Sequence, residues 1–144
     1  MGLHSTTMSD TPVLHLWVAG VPAPKGSKRH VGGGRLIESS KRLPEWRNQL
    51  SSCLEWGWRS TTLTGALGVK LDFVMPRPKR LAKTANPQAV SRPDVDKLAR
   101  GVLDELQLAG VMRDDSQVVS LFASKRVAEF GRQSGVWIEV WDVG

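Results

Sequence analysis

The chain predicts an α+β fold, a single domain in which one mixed β-sheet packs against two main helices. Three features predict it: two helical apolar stripes, four short segments with strand character, and their order of strand, helix, strand, helix, strand, strand. With 144 residues the chain fits one hydrophobic core. Residues 1 to 12 are small, polar and without period, so they are expected as a disordered tail, and the folded domain as residues 13 to 144.

The first strand is read at 13 to 18, where Val13-Leu14-His15-Leu16-Trp17-Val18 is β-branched, aromatic and aliphatic. From Gly20 to Gly34 the prolines and glycines disfavour both helix and strand, and the stretch reads as a long basic loop. Leu43, Trp46, Leu50, Cys53 and Leu54 recur at helical spacing behind a serine cap at Ser39 or Ser40, which predicts a helix over 42–57 with Pro44 in its first turn. Leu67, Val69, Leu71 and Phe73 alternate with Gly68, Lys70, Asp72 and Val74, a half-buried strand. Residues 76 to 93 hold four prolines and five cations and read as a mobile basic loop. Val95, Leu98, Val102, Leu103 and Leu106 then trace a helix over 94–108, stopped by Gly110. Strands at 117–127 and 136–141 follow, joined by a turn and expected to pair as a hairpin.

Charge narrows the function. Twenty Lys and Arg against fourteen Asp and Glu leave +6, a field suited to a polyanion such as nucleic acid. The single cysteine, Cys53, excludes an intrachain disulfide, and with no secretory pattern at the start a reducing, cytoplasmic setting is expected. No apolar run approaches the roughly 18 residues of a membrane span, so no membrane partner is expected. Three scattered histidines give no zinc framework, and without a dinucleotide fingerprint or phosphate loop no nucleotide cofactor is expected.

Two acidic pairs stand out. Asp94-Val95-Asp96 places two carboxylates one residue apart at a helix start, where they can share a hard cation or simply cap the helix. Asp114-Asp115 follows that helix, as a further pair of ligands or as a polar turn. A helix of about 22 Å separates the pairs, so local geometry alone does not join them. Arg100, four residues after Asp96, reads as an intrahelical ion pair or as a clamp on phosphate. Lys25, Lys28, Arg29, Arg35, Arg77, Lys79, Arg80, Lys83, Arg92 and Lys97 are the candidate DNA contacts. The six tryptophans read first as packing, with Trp56 or Trp58 open to stacking on a base.

Joined together, Arg92-Pro93-Asp94-Val95-Asp96-Lys97-Leu98, Asp104-Glu105-Leu106 and Gly110-Val111-Met112-Arg113-Asp114-Asp115-Ser116-Gln117-Val118 resemble the RusA family of Holliday junction resolvases, which show Asp-x-Asp-Asn-Leu at a helix start and Asp-Asp-x-Gln-Val before a strand. Lys25-Gly26-Ser27-Lys28 is similar to the phage members. The resemblance implies an endodeoxyribonuclease that acts as a homodimer with Mg²⁺ or Mn²⁺ and nicks paired strands of a four-way DNA junction. For a phage or prophage protein the setting is the cytoplasm of a bacterial host. By position, Asp94, Asp96 and Asp115 match the family's catalytic and metal-binding carboxylates, with Asp114 as a helper, and the resemblance implies that the family fold brings them together. Lys97 stands where Asn is usual and Arg100 where a catalytic Lys is usual; Arg keeps a phosphate-clamping charge but does not readily give up a proton. Two other readings stay open: a non-catalytic basic DNA-binding module, and a metal nuclease of other branched DNA.

Overall fold

The computed structural model describes residues 11–25, 28–31, 35–38 and 42–144, the two short stretches by backbone alone; residues 1–10 of the expected tail lie outside it. Its elements are β1 (Leu14–Ala19), β2 (Lys28–Val31), β3 (Arg35–Glu38), α1 (Leu43–Gly57), β4 (Leu67–Met75), α2 (Val95–Leu108), β5 (Val118–Val127) and β6 (Gly135–Asp142). Both helices and all four expected strands form, as an α+β domain. One expectation is corrected: the basic loop carries an antiparallel ribbon, β2 with β3, in register from Lys28↔Glu38 to Val31↔Arg35. Val31, Leu36 and Ile37 flank a glycine run there, a hairpin pattern that the count of loop-forming residues obscures.

Helix α1 accepts Pro44 in its first turn, where the missing N–H loses no bond, and buries Leu43, Trp46, Leu50 and Leu54 along one stripe. Helix α2 buries Leu98, Ala99, Val102 and Leu106. It ends as its sequence predicts: Gly110 takes φ +80°, and its N–H meets Gln107 O at 3.1 Å while that of Val111 meets Leu106 O at 3.0 Å. That is a Schellman closure, which only glycine enters without strain. Both stripes join one core with Leu14 and Val18 of β1, Leu67, Val69, Leu71 and Phe73 of β4, and Val136, Ile138 and Val140 of β6. Burying each large side chain there contributes about 1.5–3 kcal/mol.

The four-stranded sheet runs β1-β6-β4-β5. The expected β5–β6 hairpin is therefore corrected, because β4 lies between them, parallel to β5 and antiparallel to β6. The reason is burial. Leu67, Gly68, Val69, Leu71, Phe73 and Val74 of β4 are all buried, which calls for a neighbour on each side. Strand β5 leaves Val119, Leu121 and Phe122 exposed and sits at the edge. Parallel neighbours need a crossover, and α2 supplies it. Its first residues thus lie at the end of the sheet where β4 and β5 finish, and its last residues where they begin.

Candidate active site

Two cations fix the chain as it enters α2. The Arg77 guanidinium donates to Ala128 O at 3.2 Å, to Ala85 O at 2.7 Å and to Ala82 O, so the loop of residues 76–93 is stitched to the chain just beyond β5. Arg77, a candidate DNA contact by sequence, is thus engaged in shaping the loop. Lys125 donates to Ser91 O at 2.6 Å and to Pro93 O at 2.8 Å, one residue before Asp94. Sequence reasoning missed Lys125. Its signal is a cation at an inward position of β5, in register with the buried Phe73.

Asp94 occupies the N-cap position of α2 with extended backbone, φ −72° and ψ 141°, yet its side chain makes no capping hydrogen bond. The capping account of this residue therefore fails at the carboxylate. Asp96 follows in the first turn, and both side chains are exposed. Two unengaged carboxylates at the positive end of a helix dipole form an oxygen-donor pair suited to a hard cation. Arg100, one turn further, is exposed, and among the described residues it makes no ion pair with Asp96. Asp104, the next residue on that face, pairs instead with the Lys25 ammonium. Lys25 also donates its N–H to Lys97 O at 3.4 Å, which ties the end of the first loop to α2.

The second acidic pair divides. Asp114 caps a 3-10 turn, Asp115–Gln117: its Oδ2 accepts the Ser116 N–H at 3.0 Å, and Gln117 Oε1 accepts the N–H of Asp114 at 3.0 Å and of Arg113 at 2.7 Å. The side chain of Ser116, and after it its backbone N–H, hold the Asp114 carboxyl below the usual carboxylate range. Asp115 is exposed; its N–H reaches Gln107 Oε1 at 3.3 Å. Gln117 also donates to Leu63 O at 2.9 Å and Gly65 O at 3.0 Å, which binds the turn to the approach to β4. Its part as a hub depends on that tertiary approach and is invisible in local sequence.

Within one chain the structure brings Asp94 beside Asp96 and keeps Asp115 away from both. Gln107, which Asp115 touches, is thirteen residues from Asp94 along α2, about 20 Å at helical rise. Among the described residues no three or more His, Cys, Asp or Glu could hold one ion. Lys79, Arg80, Lys83 and Arg92 are exposed in the loop at the Asp94 end, and Lys97 is half-buried. The side chains of Lys28, Arg29 and Arg35 lie outside the described residues. Trp46 is buried as packing predicts, whereas Trp56 is 78 % exposed with the Arg59 guanidinium 5.1 Å from its ring centre. No helix of the described residues is long and apolar enough to cross a membrane.

A family model described as endodeoxyribonuclease RusA matches residues 19–140. No curated protein matches the chain.

Proposed function

The chain belongs to the RusA endodeoxyribonuclease family, and from that premise we propose that it is a structure-selective DNA endonuclease that resolves four-way junctions as a homodimer with Mg²⁺ or Mn²⁺. The observation that carries this reading is the pairing of divided carboxylates with an open sheet edge. Asp94 and Asp96 stand at one end of α2 and Asp115 at the other, while β5, the strand alongside, exposes Val119, Leu121 and Phe122. A second copy joined edge to edge, β5 antiparallel to β5, sets the two α2 helices side by side and reversed. Asp115 of one copy then comes to the α2 N-terminus of the other, and two mixed carboxylate sets form from one symmetric contact.

Asp94, Asp96 and the second copy's Asp115 are the residues that would hold the ion, with Asp114 beside them. A divalent ion so bound supplies Lewis acidity toward a phosphodiester and lowers the pKa of water. Arg100, exposed and unpaired with Asp96, would steady the scissile phosphate with a forked donor. Lys79, Arg80, Lys83, Arg92 and Lys97, with Lys25, Lys28, Arg29 and Arg35 from the first loop and ribbon, hold flanking phosphates; Arg77 acts by shaping its loop. Cytoplasmic DNA is the substrate pool.

The test mixes two inactive variants, Asp94→Asn and Asp115→Asn, and assays nicking of a synthetic four-way junction with Mg²⁺ or Mn²⁺. Random exchange of subunits gives heterodimers with one intact set, so nicking returns to about a quarter of the wild-type number of sites. No return of activity removes the shared site. Equal cleavage of flaps would make the protein a nuclease of other branched DNA, and binding without cleavage in either metal would leave a basic DNA-binding module.

A further inference from the structure

At the end of the sheet where Asp94 lies, the connection from β5 to β6 carries an aromatic side chain that the core does not use. Phe130 is 58 % exposed. It occupies the corner of a tight turn closed by Arg132 N–H to Glu129 O at 2.9 Å, and Gly131 follows it at φ +78°. This fits a type II turn, in which the third position demands glycine and the second projects its side chain outward. The turn is anchored: Ala128 donates to Met75 O at 2.9 Å and accepts from Arg77 at 3.2 Å. At most about 17 Å of extended chain separates Phe130 from Lys125, whose ammonium holds Pro93 beside Asp94.

What lies over the ring is a cation. The Lys83 ammonium sits 5.0 Å from the Phe130 ring centre, and Lys79, Arg80 and Arg132 are exposed in the same two loops. A rigidly mounted aromatic amid phosphate-binding charge is the arrangement with which proteins stack on a base that has left its helix. Resting on the nuclease reading above, we infer that Phe130 is a stacking wedge: an unpaired base at the branch point of the DNA takes the face that Lys83 covers, and Lys83 turns to an adjoining phosphate. Phe130 is thereby a positioning residue, which selects branched over linear DNA and seats the scissile phosphate near Asp94. Intact duplex offers no free base face to it.

The full-length protein and its Phe130→Ala, Phe130→Leu and Phe130→Trp variants are compared on a junction with 2-aminopurine at the branch point and on linear duplex. Wild type raises the fluorescence and cuts the junction. Phe130→Ala and Phe130→Leu lose the rise and cut the junction about 5- to 150-fold more slowly, the range a lost base–aromatic stack gives. Phe130→Trp restores both, duplex binding changes less than twofold, and the melting temperature holds in all variants. An unchanged fluorescence rise and cleavage rate in Phe130→Ala, with wild type active, overturns the wedge alone. Wild type that unstacks the base yet cuts nothing in Mg²⁺ or Mn²⁺ overturns the nuclease reading and keeps the wedge. Wild type that neither binds nor unstacks overturns both.

Discussion

The two ends of α2 carry the same residue, aspartate, in pairs, and treat it oppositely. At the start, Asp94 sits in the N-cap position without making the cap bond, and Asp96 beside it is exposed. At the far end, Asp114 makes the cap bond, and Gln117 ties that turn to the segment before β4. One turn is closed by hydrogen bonds and the other leaves its oxygens to solvent. The difference teaches that residue type and position do not decide whether an aspartate is structural; what its oxygens touch decides. It also separates two roles inside the second pair, because the Asp114 carboxylate is tied within the turn while Asp115 engages Gln107 of α2 through its backbone N–H.

If the free carboxylates at both ends belong to one chemistry, the largest effects come from removing either. Asp94→Asn and Asp115→Asn are each expected to lower junction nicking by on the order of 100-fold or more, the scale of a lost group that stabilises transition-state charge. Gel-shift affinity for the junction stays within a few-fold, and stability changes by less than about 1 kcal/mol because both residues are exposed. A large loss from Asp94→Asn with none from Asp115→Asn would break the equivalence of the two ends. The next effect in size tests how the ends meet. Leu121→Asp puts a charge on the exposed edge of β5, where it is 46 % exposed in one chain. It is expected to shift the protein from dimer to monomer in sedimentation and to remove nicking, while each monomer keeps its helical and strand signal. A monomer with full nicking would break the shared-site reading.

The sequence made the elements legible and their neighbours much less so. Helices and strands followed from local periodicity: α1, α2 and β4 stand within a residue or so of their expected bounds, since the stripe of Leu43, Trp46, Leu50 and Leu54 allows only one phase. Pairing is non-local, so β5 and β6, adjacent in sequence, lie on either side of β4. The same limit applied at the site. Asp94, Asp96, Asp114 and Asp115 are conspicuous as pairs, and helical rise already raised the question of their separation. Asp115 then meets α2 at Gln107, about 20 Å along the helix from Asp94, so whether the two pairs act together depends on what lies beyond one chain. Lys125 and Phe130 were not legible, because a strand cation and a turn aromatic acquire meaning only from what lies beside them.

A smaller effect sharpens the contrast in wiring. Gln117→Ala removes the acceptor for two N–H groups and the donor to two carbonyls at the closed end. The expected cost is about 1–2 kcal/mol, a fall of about 3–6 °C in melting temperature by calorimetry. Asp94→Ala at the open end should cost less than that. If Asp94→Ala proved the more destabilising of the two, the open end would be structural after all.

The smallest effect is a matter of pH. The Asp114 carboxyl titrates below its ordinary value because Ser116 hydrogen-bonds to its charged form. A group whose folded pKa is depressed stabilises the fold above its unfolded pKa, about 3.9, and loses that contribution as pH falls through the lower folded value. Asp114→Asn still offers a side-chain oxygen to the turn but has no proton to gain. The melting temperatures of wild type and Asp114→Asn should therefore differ most at neutral pH and converge below about pH 4. A gap for Asp114→Asn that stayed constant down to pH 3 would mean that the ionised form contributes nothing to closing this turn, and that the closed end owes its order to hydrogen-bond geometry alone.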